Sequence, residues 1–336
     1  MRLTNKNNLL KSRNNLIAYC LLLGIVVTTL LSLSSYVGWI RLLEMLSHFR
    51  VQYLAISLLL FGLLLLTRKK HFIIASLFCV SLLLVEIIPW YIPQAWAVSE
   101  PSGKIRVFLS NVNDRNESYS KVISLVREEN PDVAVFDEVN DAWRKQLNSL
   151  KEILPYSTEW LNPSRPKIGV TVYSKFPLRN VAIDYFGTTT KPGILANLNL
   201  NGQVISLIAA HPLPPFKPNY FQSRNKQLEE IGEYVSQLKT PVLVVGDLNI
   251  TMWSPYYKKF VSDTGLSNAR QGFGILPSWP AKSSVSRVPN IIAPLMLIPI
   301  DQVLISPEIK VSKIKIGRNV GSDHLPVIAD LVMSNG

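Results

Sequence analysis

Pro241-Val242-Leu243-Val244-Val245-Gly246-Asp247-Leu248-Asn249 is a continuously apolar run that ends in a glycine, an acid and an amide. An apolar stretch of this length, rich in valine and stopped by glycine, reads as a strand covered on both faces. Polar groups at its end point out of a sheet edge, where catalytic side chains usually sit. By itself Gly246-Asp247-Leu248-Asn249 is more simply a surface turn. What changes that reading is the recurrence of the same pattern along the chain.

Ser110-Asn111-Val112-Asn113 closes an earlier apolar run, and Asp137-Glu138 follows Pro131-Asp132-Val133-Ala134-Val135-Phe136. His211 follows Ile205–Ala210, Asp301 opens a run continuing to Ile305, and Gly321-Ser322-Asp323-His324 precedes the last one. Strand-like runs occupy 104–112, 132–137, 168–174, 194–200, 203–210, 241–247, 301–306 and 326–332. Helical patterns fit 117–130, 141–152 and 219–238. Asn201-Gly202 separates two of the strands, a pair that favours a two-residue hairpin turn. Strands outnumber helices and include a hairpin, which argues against a simple alternating sheet. The pattern predicts an α/β fold of two packed β-sheets flanked by helices.

Carboxylates, amides and histidines gathered from many strand ends suit cation-assisted hydrolysis of a phosphate ester. Magnesium takes oxygen ligands and keeps several waters, so one Glu and one Asn can hold it. Manganese is the alternative ion, since it favours the same donors. A His with a carboxylate partner can take a proton from water. A second His and an Asn can balance charge on phosphoryl oxygens. His211 and His324 are the two histidines beyond residue 100, and both fall at expected strand ends.

On these runs the chain resembles the endonuclease/exonuclease/phosphatase superfamily. The matching segments are Arg106–Asn113, Pro131–Glu138, Gly169–Pro177, Ala209–His211, Gly246–Asn249, Ile300–Ser306 and Ser322–Pro326. The resemblance implies a DNase I-like four-layer sandwich and a set of roles. Asn111 and Glu138 would bind the metal, with Asp323 near it. Asp247 and Asn249 would orient the nucleophile and hold the phosphate. His211 would stabilise or protonate the departing side, and His324 would be the base, oriented by Asp301. Two positions depart from the family pattern: Asp137 stands where Gln is usual, and Gln302 where His is frequent.

Three apolar segments, 16–37, 51–67 and 72–91, precede this domain. A helix crosses a bilayer with about 20 apolar residues, in a range of roughly 17–25. One such segment could be a signal peptide; three read as a membrane anchor. The N-terminal tail carries Arg2, Lys6, Lys11 and Arg13 and the second loop Arg68, Lys69 and Lys70, against Arg41 and Arg50 in the first loop. Basic loops stay in the cytoplasm, so the N-terminus is expected inside and the catalytic domain periplasmic or extracellular. Glu86, in the third segment, lies near its outer end and within reach of the interface. The division is then 1–91 anchor, 92–103 linker with Trp96 at the headgroup zone, and 104–336 catalytic domain. Cys20 and Cys79 both fall in apolar segments, so the outer domain has no disulfide, which suits a bacterial envelope.

Residues 1–100 carry nine basic and three acidic residues and 101–336 carry 26 and 20, so each part contributes half of the net +12. The outer domain is only mildly basic, consistent with a phosphate-bearing substrate and not diagnostic of nucleic acid. With its anchor, the chain resembles the membrane phosphatases associated with teicoplanin resistance, which act on undecaprenyl pyrophosphate. The expected partners are membrane lipids and a phosphate-bearing lipid substrate. The competing enzyme reading is an extracytoplasmic nuclease, which should show a basic stripe with stacking aromatics; the Lys and Arg here are scattered. An inactive tethered binding module would not need Asn111, Glu138, His211, Asp247, Asn249, Asp301 and His324 together. One run is left over: Asn290-Ile291-Ile292-Ala293-Pro294-Leu295-Met296-Leu297-Ile298-Pro299. It reads as covered core, or as a loop at the site mouth that meets lipid.

Overall fold

The computed structural model describes residues 2–38, 40–93, 103–158, 169–189 and 191–333. Most of the expected linker, with Trp96, lies outside the described residues, as do the side chains of Arg2, Lys6 and Lys11. Two compact units result, 1–91 with 253–255 and 92–252 with 256–336.

The first unit is helical: α1 (Arg2–Leu33), α2 (Arg41–Leu46), α3 (Arg50–Leu66) and α4 (Lys70–Val85). Leu21 of α1, Leu60 and Phe61 of α3, and Phe72, Ile73 and Cys79 of α4 pack around buried Ala18, Ile25 and Leu64. Among the described residues two helices have the length and apolarity of a span, Arg13–Val37 and Arg41–Leu66. The expected third span is a shorter apolar helix, Lys70–Val85. It stops before Glu86, and Pro89 lies in a separate 3-10 turn, Ile88–Tyr91; proline lacks the N–H that would continue an α-helix. The expected first loop is itself largely helical, because Arg41–Leu66 runs on as one apolar stretch. At that end of the bundle Arg50 pairs with Glu86 at 2.5 Å, and Tyr36 Oη donates to Glu86 at 2.8 Å. Glu86 therefore ties two helix ends together.

The second unit runs β1 (Gly103–Asn111), α5 (Tyr119–Glu129), β2 (Val133–Val139), α6 (Asp141–Leu147), β3 (Tyr156–Ser157), β4 (Gly169–Ser174), β5 (Arg179–Asp184), β6 (Gly193–Leu200) and β7 (Gln203–Ala209). It continues through α7 (Pro218–Gln237), β8 (Val242–Asp247), α8 (Pro255–Thr264), β9 (Ser267–Asn268), β10 (Asp301–Ile305), β11 (Ile309–Ile316) and β12 (Val327–Met333). The strands form two six-stranded sheets, β11-β12-β1-β2-β4-β3 and β5-β6-β7-β8-β10-β9. Both are mixed: β1/β2 and β7/β8 are parallel, while their other neighbours are antiparallel. The β6–β7 hairpin turns at Asn201 and Gly202, both at positive φ.

Strand alternation builds the layers. Val107, Leu109, Val133 and Val135 of the first sheet meet Leu198, Leu207, Val245 and Val303 of the second in one buried core. Phe108 and Phe136 point the other way and pack with Val122 and Val126 of α5 and Trp143 and Leu147 of α6. Because β10 opposes β8 and β12 opposes β1, the C-terminal ends of β1, β2, β7 and β8 share one edge with the N-terminal ends of β10 and β12. That edge holds the polar residues singled out in the sequence.

Candidate active site

Two backbone devices aim the side chains. The β2–β4 pairing slips between Phe136 and Val139, and Glu138 sits at a positive φ of 59°. A bulge of this kind redirects one side chain at a strand end, and a left-handed non-glycine residue marks a site held by its surroundings. At Gly246 the backbone passes so close to β7 that a Cβ would lie 1.9 Å from the Ala210 carbonyl oxygen. Only glycine fits there, which lets β8 deliver Asp247 beside His211.

Asn111 lies between two acids: its Nδ2 donates to Glu138 Oε1 and to Asp247 Oδ2, both at 3.1 Å. Its Oδ1 accepts the Asn113 N–H at 3.0 Å. His211 Nδ1 lies 3.0 Å from the Asp247 carbonyl, and Nε2 lies 3.4 Å from Glu138 Oε1. His324 Nδ1 meets both oxygens of Asp301 at 3.1 and 3.0 Å. Its Nε2 stands 3.7 Å from Asp247 Oδ2. Asn249, at φ 51°, donates its Nδ2 to the Pro212 carbonyl at 3.0 Å.

The structure thus joins Asn111, Glu138, His211 and Asp247 in one contact set, with Asp301 and His324 linked to it through Asp247. Asp323 takes a neighbouring place: its carboxylate accepts Asn113 Nδ2 at 2.7 Å and Trp279 Nε1 at 3.4 Å. Asn249 is attached through its backbone, its N–H donating to Asp247 Oδ1 at 3.0 Å.

Burial works against charge throughout this edge, and the partners decide each outcome. Burial raises Asp247, reinforced by Asp301 and only partly offset by the two histidines. Burial would raise Glu138 too, but the hydrogen bond and charge of His211, with help from His324 and Asn111, hold it below the usual carboxylate range. Burial opposes protonation of His324, yet Asp301 and Asp247 together carry its pKa well above the ordinary value. His211 is raised by the hydrogen bond to Glu138 and the charges of Asp247 and Asp137, against burial and Lys191. Asp301 is lowered: burial is outweighed by the charge and hydrogen bond of His324.

An excess of carboxylates calls for a cation. Glu138 and Asp247 share one amide NH2 between them, and their carboxylate oxygens are the donors a hard divalent ion prefers. The ligand atoms of Asp247, Asp301 and His324 also lie within 4.8 Å of one another. We read that trio as an ion-paired imidazole, because Asp301 already holds His324 Nδ1 with both oxygens.

Several contributors were not assigned roles from the sequence. Asn113 holds Asp323 and is itself fixed by Trp143 Nε1, which donates to its carbonyl at 3.1 Å. Ser322 Oγ donates to the Asn111 carbonyl at 2.7 Å and accepts the His324 N–H at 3.1 Å. Buried Arg224 donates to the Asn249 carbonyl at 2.9 Å and packs over Phe221 and Tyr256. An arginine buried on an amphipathic helix was the available signal, since such a charge needs partners. Of the two departures from the family pattern, Asp137 is buried in the seam between the sheets, where Oδ2 accepts the Asp247 N–H at 2.8 Å. Gln302 is turned away from the site, donating to the Ile250 and Pro299 carbonyls, both at 2.8 Å.

The sequence profile of the Endonuclease/Exonuclease/phosphatase family matches residues 105–324. The chain belongs to this family, a superfamily of phosphoesterase and nuclease hydrolases that typically depend on a divalent metal. Comparison with curated protein sequences returns no match. Among solved structures, the chain is similar to an endonuclease/exonuclease/phosphatase from Beutenbergia cavernae at 18% identity and TM-score 0.54, covering 69% of this chain and 72% of that one. It is similar to the human Nocturnin catalytic domain with bound sulfate at 18% identity and TM-score 0.57, covering 70% and 96%. It is similar to D. rerio TDP2 complexed with a single-strand DNA product at 16% identity and TM-score 0.55, covering 68% and 98%. At these identities the likeness establishes the DNase I-like fold.

Proposed function

We propose that this chain is a membrane-tethered, magnesium-dependent phosphoesterase that hydrolyses a lipid phosphate ester or pyrophosphate, such as a polyprenyl pyrophosphate, at the extracytoplasmic face. The observation that carries the chemistry is the imidazole of His324, gripped through Nδ1 by Asp301 and presenting Nε2 toward Asp247. That arrangement fixes the tautomer and leaves Nε2 to take a proton from a water or hydroxyl, the work of a general base. Asp247 and Asn249 orient the attacking water. His211, beside Glu138, balances charge on the phosphoryl oxygens or protonates the leaving oxygen. Glu138 and Asn111 would hold the ion, with Asp323 in its outer surroundings, and magnesium or manganese there would supply Lewis-acid compensation of phosphoryl charge.

The lipid part of the reading rests on the apolar helices. α4 is shorter than the two candidate spans, yet its C-terminal end is pinned to the N-terminal end of α3 by Glu86 and Arg50. The helices α3 and α4 are 17 and 16 residues long, and α4 is read as the third crossing. Three crossings with a basic tail inside put the catalytic unit outside. Chelation tests the chemistry: phosphate release should stop with EDTA and return with magnesium. Release indifferent to chelation would rule out the cation-assisted mechanism.

A further inference from the structure

The leftover run is neither plain core nor a loose loop. Residues 280–297 form a loop closed at its neck by an antiparallel bridge, Trp279 to Ile298. Inside it, Ala293 is fully buried, and a turn around it is pinned by N–H groups of Ile292 and Ala293 donating to the Pro289 carbonyl, both at 3.0 Å. That turn pushes its apolar side chains outward. Ile291 is 84% exposed, the highest value among the large apolar side chains described, Leu295 is 70% and Ile292 40%. Presenting three such residues together on a preformed turn marks an interaction surface.

The neighbourhood identifies the partner. Residues 264–300 contain no Asp or Glu, while Lys282 and Arg287 are exposed on the same loop. Exposed Arg115 also reaches it, donating to the Val285 carbonyl at 2.6 Å. An apolar tip on a loop that carries basic and no acidic side chains complements an anionic lipid surface, where the tip enters the acyl boundary and the cations meet headgroups. The neck leads to the catalytic edge: Trp279 Nε1 donates to Asp323, and its ring lies 6.3 Å from that of His324. We infer that the 280–297 loop docks the site mouth on anionic lipid through Ile291, Ile292 and Leu295. This rests on the membrane-tethered reading above and adds how a lipid-borne phosphate is met.

The test uses the full chain with Cys20→Ser and Cys79→Ser, carrying Ile291→Cys or Leu295→Cys labelled with an environment-sensitive fluorophore. It is reconstituted in phosphatidylethanolamine/phosphatidylglycerol vesicles containing doxyl-labelled lipid. Docking predicts blue-shifted emission and quenching at both positions, weakened in neutral phosphatidylcholine, with no quenching at Val204→Cys, an exposed apolar position on β7. Water-like, unquenched emission at 291 and 295 overturns the inference. So does concentration-dependent self-association through the labelled loop in detergent, which would make a second copy the occupant. Ile291→Asp with Leu295→Asp should raise KM for a vesicle-borne substrate roughly tenfold, by removing two lipid-facing side chains. Turnover of a soluble phosphomonoester should be unchanged. Quenching in a protein without activity upholds docking and sinks the catalytic reading; activity without quenching does the reverse.

Discussion

Asp301 lies directly opposite Asp247 in the antiparallel ladder of β8 and β10, and His324 stands between their carboxylates. Neighbouring strand ends thus present two acids to one imidazole, one at hydrogen-bonding distance and one at 3.7 Å. The closer acid orients the ring; the farther one faces Nε2, the nitrogen proposed to receive a proton.

His324→Ala should therefore lower the hydrolysis rate by roughly 10²–10⁴-fold, the usual worth of a general base. Asp301→Asn should be less severe and should carry a pH signature. Asp301 raises the His324 pKa, and a base works only when neutral, so losing that charge should shift the acidic limb of the pH–rate profile downward. An acidic limb that persists unshifted in both variants would exclude His324 as the base.

Glu138→Gln should abolish magnesium-dependent turnover while leaving the fold intact. The substitution keeps the size of the side chain and removes one carboxylate charge from the pair that shares the Asn111 amide. The Lewis-acid contribution at stake is several kcal/mol. Rates at varied magnesium, with circular dichroism as the folding control, decide this. Wild-type turnover with the same magnesium dependence would remove Glu138 from the site.

Asp137 sets a pH dependence of stability. Its carboxyl is pushed up to about 7 by burial. A carboxyl raised in the folded state is best tolerated below its unfolded value of 3.8, and its destabilising effect grows as the pH rises toward about 7. The full effect is on the order of 4 kcal/mol above that range. Asp137→Asn keeps an acceptor for the Asp247 N–H and removes the charge. Melting curves without divalent ions should show it raising Tm more at pH 8 than at pH 5. An equal effect at both would show that Asp137 does not titrate in this range.

A reporter fused after Gly336 should be active outside the cytoplasm. The warrant is the excess of Lys and Arg in the tail and in the turn at Arg68, Lys69 and Lys70, with α4 read as the third crossing. If α4 fails to cross, the reporter will be active inside, and the outer-leaflet substrate falls with it.

The central strands were readable because each is an apolar run ended by a polar or turn residue. β11 was missed: Ile309-Lys310-Val311-Ser312-Lys313-Ile314-Lys315-Ile316 alternates with lysines, as an exposed edge strand does. β5, also at an edge, is half-exposed and was hidden for the same reason. α8 offered only a short Pro255-led turn with mixed polarity. The named site residues were legible because each follows or opens a strand. The bonds that order them were not, since Asp137 with Asp247, Asn113 with Asp323 and Ser322 with Asn111 join residues 110 to 211 positions apart. Local pattern carries no information on such meetings. The third apolar segment was overextended because composition continued through Pro89, where the helix had already ended at Val85.

The most direct measurement presents the purified full chain with a polyprenyl pyrophosphate in vesicles and, in parallel, with single- and double-stranded DNA, each with magnesium and with EDTA. A tethered lipid phosphoesterase should release phosphate from the lipid with magnesium, not in His324→Ala, and leave DNA intact. Cleavage of DNA with the lipid untouched would make the chain a tethered nuclease and rule out the lipid phosphoesterase.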